Sequence, residues 1–305
     1  MKCGVDIRVK FFVPSTPHSN LHTSHSPFNI SPYKDTKKMC LQTLYTSATG
    51  MIGMETKLNT VAHNLANMET TAFKKQRCNF EDLFYDHLKY PGIQDTLGNF
   101  TATGISIGVG TRVSSIQTQF KQGANSETNR PLDVSIAGEG FFRVTDPFSG
   151  QTLYTRAGNF SRADNGNLVL GSGHTGRVLD PPIVIPDDAT FVQIQESGEV
   201  FVQQPPETTL TSVGRMGLAT FANPEGLLRI GENLFAETDA SGTPIEGEPG
   251  DAGFGQIRQN SLEMSNVEPV NELIDMITSQ RAFELNSQVT RTGDQVLQTV
   301  ISIKR

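Results

Sequence analysis

Residues 63–77 read HNLANMETTAFKKQR, and the way this stretch ends the segment before it decides the fold. Upstream, LQTLYTSATGMIGMETKLNTVA (residues 41–62) leads into it with apolar residues in steps of three and four: Leu41, Leu44, Ala48, Met51, Leu58, Ala62 and Leu65. That is a seven-residue repeat, and it predicts a helix from about Leu41 to Asn67 carrying a coiled-coil seam. Gly50 and Gly53 weaken the helix by about 1 kcal/mol each relative to Ala. Their small size also lets a second helix come close. The helix then runs into Asn, Thr and Glu with neither Gly nor Pro, so no usual stop signal explains its end. The short basic run Lys74, Lys75, Arg77 reads as a solvated face.

The other terminus mirrors this one. From about Glu268 to Ile303, Val270, Leu273, Ile274 and Ile277 form one stripe, and Ala282, Leu285, Val289, Thr292, Val296, Thr299 and Ile303 continue it. Pro269 falls near the first helical turn, where its missing N–H costs nothing. No Pro lies between Pro32 and Pro91 or after Pro269, while most of the 28 Gly fall between Gly92 and Gly255. The ends therefore permit long helices and the middle does not. There, LDVSI, FFRVT, TLYTR, NLVL, PIVIP, TFVQIQ and EVFVQQ read as short strands separated by turn chemistry. DNGN at Asp164–Asn167 is the clearest hairpin signal, because Asn-Gly tolerates the positive φ angles of a type I′ turn. The expected class is α+β: an all-β middle domain, as a sandwich or barrel, with long N- and C-terminal helices pairing as a coiled coil.

Composition excludes several functions. A net charge of −7 and a pI near 5.4 argue against a nucleic-acid binder. Three widely spaced cysteines, Cys3, Cys40 and Cys78, give neither a disulfide framework nor a zinc pattern. No apolar run approaches a membrane span, and FFV near the start is too short for a secretory signal. His18, His22 and His25 sit among prolines that oppose the helix needed to make them a metal site. GSGHTG at Gly171–Gly176 is followed by RVLDPPIVIP, which cannot start the helix that a dinucleotide site requires. The carboxylates Asp187, Asp188, Glu196 and Glu199 lie in turns, and a chain without Trp lacks the usual sugar platform. No catalytic, cofactor-binding or metal residue is assigned. Isolated helices of this length are marginal in water, so terminal stripes that cannot be buried on the β module must be buried on each other and on neighbouring chains. Elimination leaves an assembly protein.

At this point the opening stretch becomes legible. LYTSATGM followed by NTVAHNLANMETTAFKKQRCNFEDL resembles the N-terminal signature of the bacterial flagellar axial proteins of rod and hook, with Asn64, Leu65, Ala66, Asn67, Thr70, Phe73 and Lys74 matching. His63 replaces an Asn of the pattern. Ala72 replaces a Gly, which puts a positive φ there in doubt. NSLEMSNVEPVNELIDMITSQRAFELNSQ resembles the C-terminal signature through Leu262, Glu263, Ser265, Asn266, Val267, Gln280, Arg281, Phe283, Glu284 and Asn286. NRPLDVSIAGEGFFRV and LYTRAGNFSRADNGNLV resemble the β-domain motifs. The resemblance covers roughly residues 39–305. Residues 90–113, YPGIQDTLGNFTATGISIGVGTRV, look like the extra stretch of distal-rod members.

The resemblance implies a structural subunit of the distal rod, not an enzyme, that self-assembles into a tubular drive shaft transmitting torque across the cell envelope. It further implies export without a cleaved signal through the flagellar type III apparatus. Implied partners are further copies of the chain, other rod proteins, the hook protein, the surrounding ring proteins and the export apparatus. No nucleic acid or small-molecule substrate is implied. The expected division is a disordered extension at 1–38, which translation from Met39 would omit; an inner-tube domain of terminal helices at 39–75 and 265–305; a connecting region at 76–125 and 225–264; and a β domain at 126–224. Expected assembly-interface residues are Leu41, Leu44, Ala48, Met51, Leu58, Leu65, Leu273, Ile277, Leu285, Val289 and Val296. Asn64 and Asn67 are expected to hold the helix end by bonding other chains' backbones. Pro91, Gly104, Ile105, Ile107 and Gly110 mark the rod-specific stretch, read as a bridge between subunits with a flexible linker as the alternative. Another rod protein or a hook protein is the nearer alternative, and a cell-surface β-sandwich hydrolase or glycan-binding module the more distant one.

Overall fold

The computed structural model describes residues 32–92, 100, 103–171, 176–205 and 209–303, with side chains from residue 42 onward. Most of the expected extension, with its three histidines, lies outside the described residues, as does the side chain of Leu41.

Among the described residues two 35-residue helices flank a β-rich middle: α1 (Pro32–Ala66) and α2 (Pro269–Ile303). Both begin at a proline, which suits the first helical position. Helix α1 thus starts earlier than the expected Leu41. The helices lie antiparallel: Thr290 donates to Ser47 at 3.0 Å, Lys57 meets Asp275 at 3.3 Å, and Asn64 donates to Glu272 at 3.1 Å. Glycine sets their closeness. A methyl added to Gly50 would stand 2.9 Å from the Asn286 amide nitrogen, and one on Gly293 would stand 3.0 Å from Leu44 Cδ2.

The chain leaves α1 through one turn and forms a long antiparallel ribbon. β1 (Gln76–Asp82) pairs with β4 (Thr111–Thr118), and beyond them β2 (Tyr85–Lys89) pairs with β3 (Ile105–Gly108). Leu83 N–H to Gly110 O at 2.8 Å and Val109 N–H to Phe84 O at 3.0 Å join the two sections. The ribbon lies on α1. Cys78 Sγ is 3.1 Å from Thr60 Oγ1, Phe80 packs on Gly53, and a methyl on Gly110 would strike Thr49 Oγ1 at 2.2 Å. Gly110, at φ +131°, is therefore required on two counts. The linker reading is corrected for residues 103–113, which are the returning arm of this ribbon, with Ile105 and Ile107 as paired strand residues.

The middle of the chain holds a nine-stranded sheet and a three-stranded sheet of Phe191–Ile194, Glu199–Gln203 and Leu210–Arg215. Both contribute to one core, Val144, Phe142, Phe160 and Leu168 meeting Ile194, Val200 and Val202. Alternation along these strands is what places the apolar residues on a common face. FFRVT and EVFVQ are strands as expected. PIVIP is not, since its only pairing is an isolated bridge from Val184 to Asn167. The DNGN hairpin forms, but only Gly166 takes a positive φ (+78°), so its turn is not type I′.

Candidate assembly surface

The end of α1 is built by side chains doing what backbone does in a sheet. Asn64 is buried; its Oδ1 accepts from Gln76 N–H at 2.9 Å, and its Nδ2 donates to Gln76 O at 2.8 Å and to Glu272 at 3.1 Å. Both amide hydrogens are thereby consumed within the chain, which corrects the expectation that Asn64 bonds a neighbour. Asn67 turns back to the His63 carbonyl at 2.9 Å and accepts from Thr70 at 3.2 Å, closing the last turn locally. Ala72 stands in the left-handed region at φ +57°, so the conformation that the glycine of the pattern would favour is kept without the glycine. Its N–H donates to Glu263 O at 2.8 Å, and burial of its methyl in the β core helps hold it there.

Two residues later the basic run departs from the solvated face expected of it. Lys74 is fully buried, its ammonium 2.5 Å from Glu263 Oε1 and 3.0 Å from Lys121 O. Glu263 also accepts Gly123 N–H at 2.9 Å and lies 3.1 Å from Arg156, itself buried. Two cations thus share one carboxylate away from water. Burial lowers the Lys74 pKa to about 8, with Glu263 opposing the shift and Arg156 adding to it. Burial likewise depresses the proton affinity of Arg156. Lys75 pairs with the buried Glu272 at the start of α2. Asn266 completes the junction by accepting Lys75 N–H at 2.7 Å and donating to Gln119 O and Lys121 O. The two quoted signatures thus meet as one buried polar joint. Their separation in sequence hid this; the only available signal was that Lys74 and Glu263 both fall on signature positions.

The helix pair presents the opposite chemistry outward. The residues that α1 turns toward α2 are mostly small or polar, Ser47, Gly50, Lys57 and Asn64, with Leu44 packed over Gly293. The expected seam residues Leu44, Ala48, Met51, Leu58 and Leu65 are half-buried. On α2, Leu273, Ile277, Leu285, Val289 and Val296 are exposed, Leu285 by 63% and Ile277 by 57%. The α2 stripe is therefore not what closes this pair, which corrects that part of the expectation, whereas Leu44 of the α1 stripe does meet α2. Leu285, Val289 and Val296 line a groove beside Thr43 of about 380 Å³. The outer ribbon is apolar as well, with Phe84, Tyr85, Leu88, Tyr90, Phe100 and Ile105 all exposed. Exposed apolar faces on this scale mark surfaces that associate. No group of metal-ligating residues occurs among the described residues, and no helix among them is long and apolar enough to cross a membrane.

Comparisons with known proteins show the family. Residues 44–74 match the profile of the flagella basal body rod protein family, residues 135–202 that of the flagellar hook protein FlgE/F/G D1 domain, and residues 258–303 that of the flagellar basal body rod FlgEFG protein C-terminal region. The flagellar basal-body rod protein FlgG of Caulobacter vibrioides is 41% identical over 87% of this chain and 100% of its own length. That of Borreliella burgdorferi is 39% identical over 87% of this chain and 99% of its own. That of Bacillus subtilis is 37% identical over 87% and 100%.

Proposed function

The chain belongs to the bacterial flagellar basal-body rod protein family, and from that premise we propose that it is a subunit of the distal rod that polymerises into a tubular drive shaft. It is a structural protein and not an enzyme, and its place is the flagellar basal body. The observation that carries the polymer reading is the exposed stripe of α2. Leu273, Ile277, Leu285, Val289 and Val296 stay 44–63% exposed among the described residues, and fully burying one such side chain contributes up to about 1.5–3 kcal/mol. Copies of the chain supply the cover, α2 entering coiled-coil packing with neighbouring helices, and Leu41, Leu44, Ala48, Met51, Leu58 and Leu65 flank the same seam.

In this reading the terminal helices form a discontinuous inner-tube domain, the β body forms an outer layer, and the subunit passes unfolded through the flagellar type III export apparatus. Other rod proteins, the hook protein and the surrounding rings are its neighbours. The ribbon that carries Pro91, Gly104, Ile105, Ile107 and Gly110 bridges adjacent subunits and resists the sliding that bending needs. Negative-stain microscopy of concentrated purified protein tests the reading. Straight tubes are expected, and monodisperse globules at every concentration would overturn it.

A further inference from the structure

A cavity of about 260 Å³ lies where the end of α1 meets the hairpin of Leu228–Gly231 and Leu234–Ala236. Its charged wall is Arg229. The guanidinium lies over the rings of Phe73 and Phe235, 5.4 and 5.7 Å from their centroids, and donates to Lys74 O at 2.7 Å. No carboxylate lies within ion-pair distance of it among the described residues. Glu232, which lines the same cavity, is taken by Arg177, and the Lys74 ammonium is spent on Glu263 and Lys121 O. Burial alone, with no acid opposing it, lowers the proton affinity of Arg229. A half-buried cation without a counter-charge is costly, and its fork is shaped to hold a carboxylate through two parallel hydrogen bonds.

We propose that this cavity receives a carboxylate side chain from a second copy of the chain, gripped by Arg229. Charge complementarity selects the occupant. The chain has 32 acidic against 25 basic residues, so carboxylate is the group that its copies hold in surplus. The approach is open, because His63 at the rim adjoins Ala62 and Ala66, all three exposed on α1. This inference rests on the assembly reading above and adds to it a polar contact at the joint between helices and β body, distinct from the apolar stripe of α2.

The test is the critical concentration for polymerisation of the full chain, read by light scattering and microscopy, for wild type, Arg229→Gln and Arg229→Lys. Near-UV circular dichroism of the monomers serves as the folding control. Arg229→Gln is expected to need about tenfold more protein, the equivalent of about 1.4 kcal/mol, with Arg229→Lys between the two. Salt raised from about 50 to about 500 mM should weaken wild-type assembly several-fold and Arg229→Gln assembly far less, because screening acts only where the charge remains. Equal critical concentrations and equal salt responses in wild type and Arg229→Gln would overturn the proposal. So would Arg229-dependent stabilisation of the monomer by inorganic phosphate or acetate with polymerisation unchanged, which would make the cavity a free-anion site. If Arg229→Gln does not fold, Arg229→Lys decides, and wild-type behaviour in that variant overturns the proposal. Wild-type protein that never polymerises would overturn the assembly reading and this inference with it.

Discussion

Ala72 and Lys74 stand two residues apart, and each is held in a state it would not choose alone. A left-handed alanine costs about 1–2 kcal/mol, offset here by burial of its methyl and by its N–H bond to Glu263 O. Gly at this position relieves the backbone and loses the methyl, worth about 0.8 kcal/mol, so Ala72→Gly should melt within a few degrees of wild type. A β-branched residue gains nothing and overfills the core. Ala72→Val should therefore lower Tm by at least about 4 °C, and an unchanged melt would show that the turn is not held as described. Lys74 tests the buried joint through pH. Its pKa falls from 10.5 to about 8 on folding, so between those values the unfolded chain binds more protons than the native one. Stability therefore rises with pH across that window. Denaturant titrations from pH 7.5 to 10 should show this gain in wild type and show it reduced in Lys74→Met.

At the scale of elements, α1 is covered on two sides and α2 on one. The small and polar residues of α1 meet α2, its Thr49, Gly53 and Thr60 meet the ribbon, and α2 is left to carry the open apolar face. Leu285→Asp and Val289→Asp place a charge on surfaces already wet in the monomer, so its stability should change by less than about 0.5 kcal/mol. The same charge inside a dry interface costs several kcal/mol, so tubes should be absent and motility lost. Normal motility in both variants would remove these residues from the interface. The ribbon allows a cleaner test than removal of one arm, since loss of residues 97–110 alone would strand β2 and lift Gly110 from Thr49. Removing residues 84–109 leaves Leu83-Gly110 as a two-residue turn between the paired Asp82 and Thr111. That variant should keep its melting point and assemble into curved, more flexible tubes. Tubes of unchanged stiffness would sink the bridging role.

The whole molecule is a helical body and a β body joined by three passing segments: Thr70–Lys75, Gln119–Gly123 and Ser261–Val267. The Lys74, Glu263 and Arg156 cluster and the amide of Asn266 cross-link these segments. Asn233 and Arg229 add bonds from the β body to Thr71 O and Lys74 O. A joint fixed at so many points resists relative movement of the two bodies, the property that the proposed drive shaft needs. It should also make unfolding cooperative between the bodies. Lys74→Met, which leaves Glu263 to Arg156 but removes the ammonium's bonds to Glu263 and Lys121 O, should separate the helical transition at 222 nm from the near-UV transition. Coincident transitions in the variant would show that the coupling lies elsewhere.

The sequence by itself determined what local chemistry controls. Periodicity and the placement of Pro and Gly marked two long helices around a β middle, alternation marked FFRVT and EVFVQ, and the two signatures pointed to the family. It did not show which face of each helix meets the other, because a heptad stripe reports where apolar residues lie and not whether their partner is in the same chain. It could not show that Lys74 is buried, since its partners Glu263 and Arg156 are brought to it only by folding. The left-handed Ala72 was signalled only by the glycine it replaces in the pattern and left in doubt, because a core contact outweighs a local preference that sequence can only report as unfavourable. Tertiary structure decided these points through long-range burial: whether a lysine is solvated or locked, and whether a leucine is core or interface, depends on what the rest of the chain sets against it.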